Sequence, residues 1–441
     1  MADSPVFPGL RHSGSLVFTL VAGLLAGDAA LAAESARPTH WVASWQASPQ
    51  PVWADGFLFP TRLPARLSDQ TVRQVARLSL GGERVRVAVS NAYGRHAVVL
   101  GQVTLGLPGE TAGAVAAGSL RTVTFNGRGT SVVPAGGELL SDPVDLPVAA
   151  LAHVIVSLYL PQPTPMTTFH WDGRQTGWIV PGDRTHDLRL VGGGETLETT
   201  ARPLLAGLQV ETAVPSRSVV VIGDSITDGA TASLDLDRRW PDVLAERLAP
   251  QGVDVVNAGI SGARLLSDGM GVKALGRLER DVLAQPGVAS VIVLLGINDI
   301  AWPGTAFAHA APLPTLDELV AGYRQLVERA HAQGIKVMGA TLTPFAGALP
   351  DTPLADYYQP AKEELRQRLN AWIRTAGAFD AVVDADAALR DPRQPTRLAP
   401  DYDSGDHLHP GDAGNRALAA AVDLAALLPD IESGPRSGPH P

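Results

Sequence analysis

The sequence predicts two folded parts in series. An antiparallel all-β domain spans residues 40–212, and an α/β domain with a parallel sheet spans residues 216–428. Three observations carry this. The first part alternates apolar and polar residues in short runs, with frequent Gly, Pro, Asn and Asp turns and no helical period of useful length. The second part alternates continuous apolar runs with helical patterns. The change falls sharply, at about Ser216.

In the first part, residues 71–80 (TVRQVARLSL), 83–91 (ERVRVAVSN) and 153–160 (HVIVSLYL) have the two-residue period of half-buried strands. Turns such as Leu80-Gly81-Gly82 and Asn126-Gly127 separate them. Many short strands of this kind suggest a sandwich or jelly roll. Trp41, Trp45 and Trp53 lie close together, and packing is the expected role over an exposed sugar platform. Residues 170–174 (HWDGR) read as a surface loop more readily than as a wall of a site.

In the second part, residues 218–224 (SVVVIGD) form a continuous apolar run, as expected of a strand covered on both faces. Similar runs recur at 254–259, 290–296, 335–342 and 381–386. Helical patterns separate them at 240–248, 275–283, 316–332, 361–375 and 413–428. In the first of these, Trp240, Leu244 and Leu248 stack at i, i+4 and i+8. The crossovers should be right-handed.

Residues 1–32 have the pattern of a secretory signal peptide. Arg11 and His12 precede an apolar run at 16–26, and Ala30-Leu31-Ala32 is a small-x-small cleavage site. The run is too short to span a bilayer, which needs ~20 apolar residues. The expectation is export to a periplasm or beyond, with no stable membrane insertion. Residues 429–441 are rich in Pro, Gly and Ser and are expected to be a disordered tail. The net charge of −10 argues against nucleic acid and anionic membrane surfaces as partners. With no cysteine, the chain has no disulfide, thiolate metal site or cysteine nucleophile. Nothing in the sequence sets the oligomeric state.

Four short blocks fall where strands end or helices begin: GDSIT at 223–227, NAGISG at 257–262, LGIND at 295–299 and DHLHP at 406–410. In an open α/β sheet, ligands sit at the carboxyl ends of the strands. Ser225 occupies such a place, although a serine there also suits a turn or helix cap. A serine hydroxyl needs a general base, and the base needs an orienting carboxylate. Asp406 and His409, three residues apart in a turn, can reach one site together. His407 competes for the base role, and Asp401 or Asp403 for that of the carboxylate. A tetrahedral intermediate needs preorganised donors. The Asn298 side chain, the Gly262 N–H and the Ser225 N–H are candidates, although turn geometry or capping would also account for Asn298, Gly259 and Gly262. Asp224 and Gly259, within these blocks, are candidates for supporting roles.

Together the blocks resemble the SGNH (GDSL-type) hydrolase family over about residues 216–428. The resemblance implies a flavodoxin-like three-layer α/β/α fold with no metal and no cofactor. Ser225 would then be the nucleophile, Gly262 and Asn298 oxyanion donors, His409 the base and Asp406 its orienter. The chain departs from the family at Ile226, where Leu is usual, and at Ala263, where many members carry a polar residue. The G-x-S-x-G elbow of α/β-hydrolases is absent. The N-terminal part also resembles all-β extensions of exported bacterial esterases.

The expected activity is hydrolysis of a short-chain ester, foremost an acetyl group, on a small molecule or polysaccharide. Lysophospholipase or lipase activity, O-acyl transfer to a glycan, and carbohydrate binding without catalysis are the alternatives. The rate should rise as a group near ~6.5–7 loses its proton.

Overall fold

The apolar runs of the second half become the five strands of one parallel sheet. In this computed structural model the described residues are 39–54, 56–190, 195–213 and 217–428. The expected signal peptide and tail lie outside them. The sheet order is Asp254–Gly259, Ser218–Gly223, Val288–Leu294, Lys336–Ala340, Ala381–Val383, so the first strand in sequence lies between the second and third. This is the 2-1-3-4-5 order of doubly wound sheets. Val219, Val220, Val221 and Ile222 are all fully buried, which explains why their strand shows no polar alternation. Burying each such side chain stabilises the fold by ~1.5–3 kcal/mol.

Helices cover the sheet as the periodicity requires. Leu316–His331 starts with a capping box, in which Thr315 Oγ1 accepts from Glu318 N and Glu318 Oε2 accepts from Thr315 N. Its buried stripe is Leu319, Tyr323, Leu326, Val327 and Ala330. Trp240–Leu248 and Pro360–Thr375 lie within a residue of expectation.

Three elements differ from it. The helix expected at 275–283 is Ala274–Leu278 followed by a π turn, Glu279–Leu283. The helix expected at 413–428 is split into Asp412–Ala420 and Leu424–Leu427, because Asp423 caps a new start by accepting from Ala425 N and Ala426 N. The last strand stops at Val383, because Asp384 caps the short helix Ala385–Leu389.

Among the described residues no helix precedes Ser225. Among the described residues the strand-rich half holds two large antiparallel sheets and three small ones. One runs His40–Gln46, Leu205–Thr212, Gly82–Ser90, Glu138–Leu140, with Val144–Val148 also paired to Gly82–Ser90. The other runs Leu197–Thr199, Gly177–Pro181, Gln70–Arg77, His153–Leu160, Val103–Gly106, Arg121–Thr122. Their apolar residues share one cluster, including Val42, Val72, Val85, Val156 and Leu208. Register is fixed by this buried face, since a slip of one residue would turn it to solvent.

The two halves meet closely. Ala43 belongs to the apolar core of the parallel sheet. Gln50 is fully buried, donates from Nε2 to Met270 O at 2.7 Å, and accepts at Oε1 from Trp171 N at 2.9 Å. His153 and Gln175 both bond Asp237, at 2.8 Å each. Trp45 is buried beneath Arg202, Trp41 lies against Arg86, and Trp53 donates to Met270 O, so all three tryptophans pack.

Candidate active site

Ser225 follows the strand Ser218–Gly223 after one residue, at the switch point of the strand order. It opens a one-turn helix, Ser225–Asp228, where the sequence suggested only a turn. Asp224 caps that helix, accepting from Ile226 N at 3.0 Å, and Gly229 closes it at φ 101°. The second oxygen of Asp224 is buried without a hydrogen bond, and burial pushes this carboxyl up to about 7. Gly259 sits where the neighbouring strand passes under the helix. A Cβ there would lie 2.4 Å from Asp228 N. Asp224 and Gly259 thus shape the turn in which Ser225 lies.

The imidazole that meets Ser225 comes from the other end of the chain. Ser225 Oγ lies 2.8 Å from His409 Nε2, and His409 Nδ1 lies 2.6 Å from Asp406 Oδ2. Asp406 can only accept, so Nδ1 carries the proton and Nε2 is left to receive the serine hydroxyl proton. The other Asp406 oxygen accepts from Leu408 N and His409 N, which fixes the carboxylate in the turn. Burial would raise the Asp406 carboxyl, but its bonds to His409 and the imidazole charge hold it well below the usual carboxylate range. His407 is not in this chain. Its Nδ1 pairs with Asp403, which explains why neither Asp403 nor His407 takes the place of Asp406 or His409. Asn415 anchors the turn from behind, donating to Pro410 O and Gly411 O.

Asn298 opens towards the same sheet edge from the helix Ile297–Ala301. Its Oδ1 accepts from Trp302 Nε1 at 2.8 Å and Tyr357 OH at 2.6 Å. An indole N–H can only donate, so this atom is the oxygen and the amide nitrogen faces the other way. That Nδ2 donates one hydrogen to Ala263 O at 3.0 Å. Its second hydrogen is the candidate oxyanion donor. At Ala263, where the side chain is apolar, the backbone carbonyl makes the contact. Gly262 has φ 72°, a conformation that favours glycine, and a Cβ would lie 2.4 Å from Met270 Sδ. Asp299 holds the loop beyond it, accepting from Leu265 N and Leu266 N at 2.7 and 2.9 Å. Burial, opposed by those two N–H groups, raises its carboxyl to about 6.

Several of these residues escaped sequence reasoning. Trp302 and Tyr357 orient Asn298, and no local pattern marks either. The sequence pattern predicts a surface loop at His170, yet the residue ends the strand Thr168–His170 and is buried against Asp228. The strand-rich half also borders the site with aromatic rings. Trp53, Phe57, Phe59 and Trp171 pack with Phe307, which stacks on Trp302 at 4.4 Å between centroids. Among the described residues no group of His, Cys, Asp and Glu could hold a metal ion, and no helix is long and apolar enough to cross a membrane.

The arrangement can move a proton from a hydroxyl to an imidazole beside donors suited to a developing oxyanion, which is the machinery of acyl transfer. The model of the GDSL-like lipase/acylhydrolase family matches residues 221–417, which contain Ser225, Gly262, Asn298, Asp406 and His409. Among solved structures, a GDSL-like lipase from Bacteroides thetaiotaomicron is 23% identical over 47% of this chain and 87% of its own, with a TM-score of 0.36. An acetylxylan esterase from Geobacillus stearothermophilus is 26% identical over 46% of this chain and 91% of its own, with a TM-score of 0.33. Both TM-scores are low, and neither likeness bears on substrate. No curated protein matches the chain significantly. Residues 221–417 are therefore a GDSL-like lipase/acylhydrolase domain, and the protein is a carboxylic-ester hydrolase.

Proposed function

We propose that the protein is an exported serine esterase that removes short acyl groups, acetyl foremost, from small-molecule or polysaccharide esters. The observation that carries the catalytic part is the continuous hydrogen-bonded chain Asp406–His409–Ser225 beside the oriented Asn298 amide. His409 takes the Ser225 proton as the oxygen attacks the ester carbonyl. The carbonyl oxygen gains charge, and the Ser225 N–H, Gly262 N–H and Asn298 Nδ2 stabilise it. The intermediate collapses, His409 protonates the departing alcohol, and an acyl-enzyme remains. Water, activated by His409, attacks it through the same steps and frees the acid.

Support for a small acyl group is the crowding of the oxyanion loop by Met270 and Trp302 at Gly262. The signal-like pattern of residues 1–32 supports export, and the strand-rich half, which we read as a jelly-roll-like accessory domain over residues 40–212, supports a polysaccharide substrate. A second reading, lipid acyl chains, is favoured by the half-buried rings of Phe57, Phe59 and Phe307 beside Trp302.

The test is hydrolysis of p-nitrophenyl esters from acetate to palmitate, with Ser225→Ala in parallel. Rates that fall with chain length and vanish in the variant support the proposal. A preference for palmitate moves the assignment to lipids, and activity that survives in Ser225→Ala removes the nucleophile.

A further inference from the structure

We propose that His170, supplied by the strand-rich half, is a positioning residue for the oxyanion loop, acting through Asp228 and Ser261. The inference rests on the esterase reading above.

Asp228 ends the helix that Ser225 begins. Its Oδ2 accepts from Ser261 N at 2.9 Å and from Ser261 Oγ at 2.7 Å, and Ser261 is the residue before Gly262. One carboxylate therefore sets the distance between the nucleophile helix and the loop that carries an oxyanion donor. Its Oδ1 has a single partner, His170 Nε2, at 2.9 Å. Both side chains are nearly inaccessible, 4% and 2% exposed. Removing the imidazole would leave one oxygen of a buried carboxylate unpaired, free to rotate off Ser261 in search of another donor.

The imidazole is itself fixed. Its Nδ1 lies 3.1 Å from Ser48 O, so both ring nitrogens face oxygen acceptors. A carboxylate oxygen can only accept, so Nε2 donates to Asp228, and the ionised acceptor makes that contact charge-assisted. Burial alone would raise the Asp228 carboxyl, but His170 and the two Ser261 donors hold it below the usual range, so it stays an acceptor. Ser48 and His170 belong to the N-terminal half, whereas Asp228 and Ser261 belong to the hydrolase half. Gly259 brings the strand before Ser261 against the helix backbone at Asp228, so a small shift of this carboxylate is passed directly to Gly262. None of these four side chains needs to touch substrate.

The experiment measures kcat and KM on p-nitrophenyl acetate for the full chain and for His170→Ala, His170→Gln, Ser261→Ala and the double variant His170→Ala/Ser261→Ala. Rates are taken per active site, counted by stoichiometric labelling with a fluorophosphonate, so loss of folded protein does not pass for loss of catalysis. A boronic acid inhibitor, which forms a tetrahedral adduct on serine, reads the oxyanion geometry separately. Expected is a fall in kcat of roughly 10- to 100-fold in His170→Ala, below the ~10²–10³-fold loss on deleting a donor outright. KM should stay within about 3-fold, and boronate affinity should fall in step with kcat/KM. His170→Gln, which can still donate to Asp228, should recover part of the loss. The double variant should be little worse than His170→Ala alone, because both act through one carboxylate.

Equal kcat per site in His170→Ala and the wild type, or additive losses in the double variant, overturns the proposal. Should the His170 variants not fold, Asp228→Ala, which removes the acceptor of both Ser261 bonds, decides it: unchanged kcat and boronate affinity there refute a positioning role for Asp228. A wild type without esterase activity, or an active Ser225→Ala, would instead refute the functional reading.

Discussion

Trp302 donates its indole N–H to Asn298 Oδ1 at 2.8 Å, and by doing so settles which end of that amide is the oxygen. Tyr357 donates to the same oxygen from 59 residues away. Tyr357→Phe should therefore lower kcat by about 2- to 10-fold, the worth of one net hydrogen bond of ~0.5–1.5 kcal/mol. KM should barely change. A raised KM with unaltered kcat would show that Tyr357 binds substrate instead of steadying Asn298.

Asp406→Asn should reduce kcat by roughly 10²–10⁴-fold, because an amide can present a donor to Nδ1 and turn the imidazole to the wrong tautomer. His407→Ala should keep kcat within about 3-fold, since its partner is Asp403 and not the serine. Steady-state kinetics on one short-chain ester decides both, and reversed outcomes would exchange the two histidines.

The Asp406 carboxyl is depressed in the folded state, so its contribution to stability is present above the unfolded value of ~3.9 and is lost only as pH falls through the lower folded value. Denaturant melts of wild type and Asp406→Ala should differ by a constant amount from pH 8 down to about 5 and converge only in stronger acid. Convergence near neutral pH would contradict the ionised Asp406.

Asp224 has the opposite sign. Its folded value is about 7, raised by burial, against ~3.9 unfolded. Whatever the neutral acid contributes is fully present below about pH 4 and is lost as pH rises through about 7. Asp224→Asn keeps an N-cap acceptor without the titration. The variant should gain in Tm relative to wild type between pH 5 and 8, a trend that scanning calorimetry resolves. A flat difference across that range would mean that Asp224 is ionised throughout.

Gly259→Ala places a methyl group 2.4 Å from Asp228 N, which the nucleophile helix cannot accommodate without moving. Overpacking of this kind costs about 1–3 kcal/mol. The expected result is a lowered Tm together with at least a tenfold loss of kcat in the protein that remains folded. Full activity at reduced Tm would separate the glycine from the geometry of Ser225.

The hydrolase half was legible because its information is local. The run at 218–223 reads as a doubly covered strand, and each block lies within a few residues of a strand end or a helix start, so Ser225, Gly262, Asn298, Asp406 and His409 could be named as candidates without knowing their distances. What escaped was set by contacts between distant segments. The helices Ser225–Asp228 and Ile297–Ala301 are too short to show a 3.6-residue period. His170 and Asp228 are 58 residues apart, and a histidine beside Trp171 and Asp172 looks like a polar loop until Ser48 and Asp228 close around it. The split of the last helix at Asp423 was readable in principle, since an aspartate there is a capping residue, but the apolar pattern runs through it unbroken.

Gln50 occupies a fully buried position where its amide serves Met270 on one side and Trp171 on the other. The family-matched segment is therefore not a freestanding module with a detachable ornament. Trimmed of its first half, it would expose the Met270 carbonyl and strip Asp228 of its imidazole, while Ala43 would leave a gap in the hydrolase core. Recombining this hydrolase with another protein's N-terminal segment would succeed only if the new segment reproduced those few contacts, so the two halves are constrained to change together.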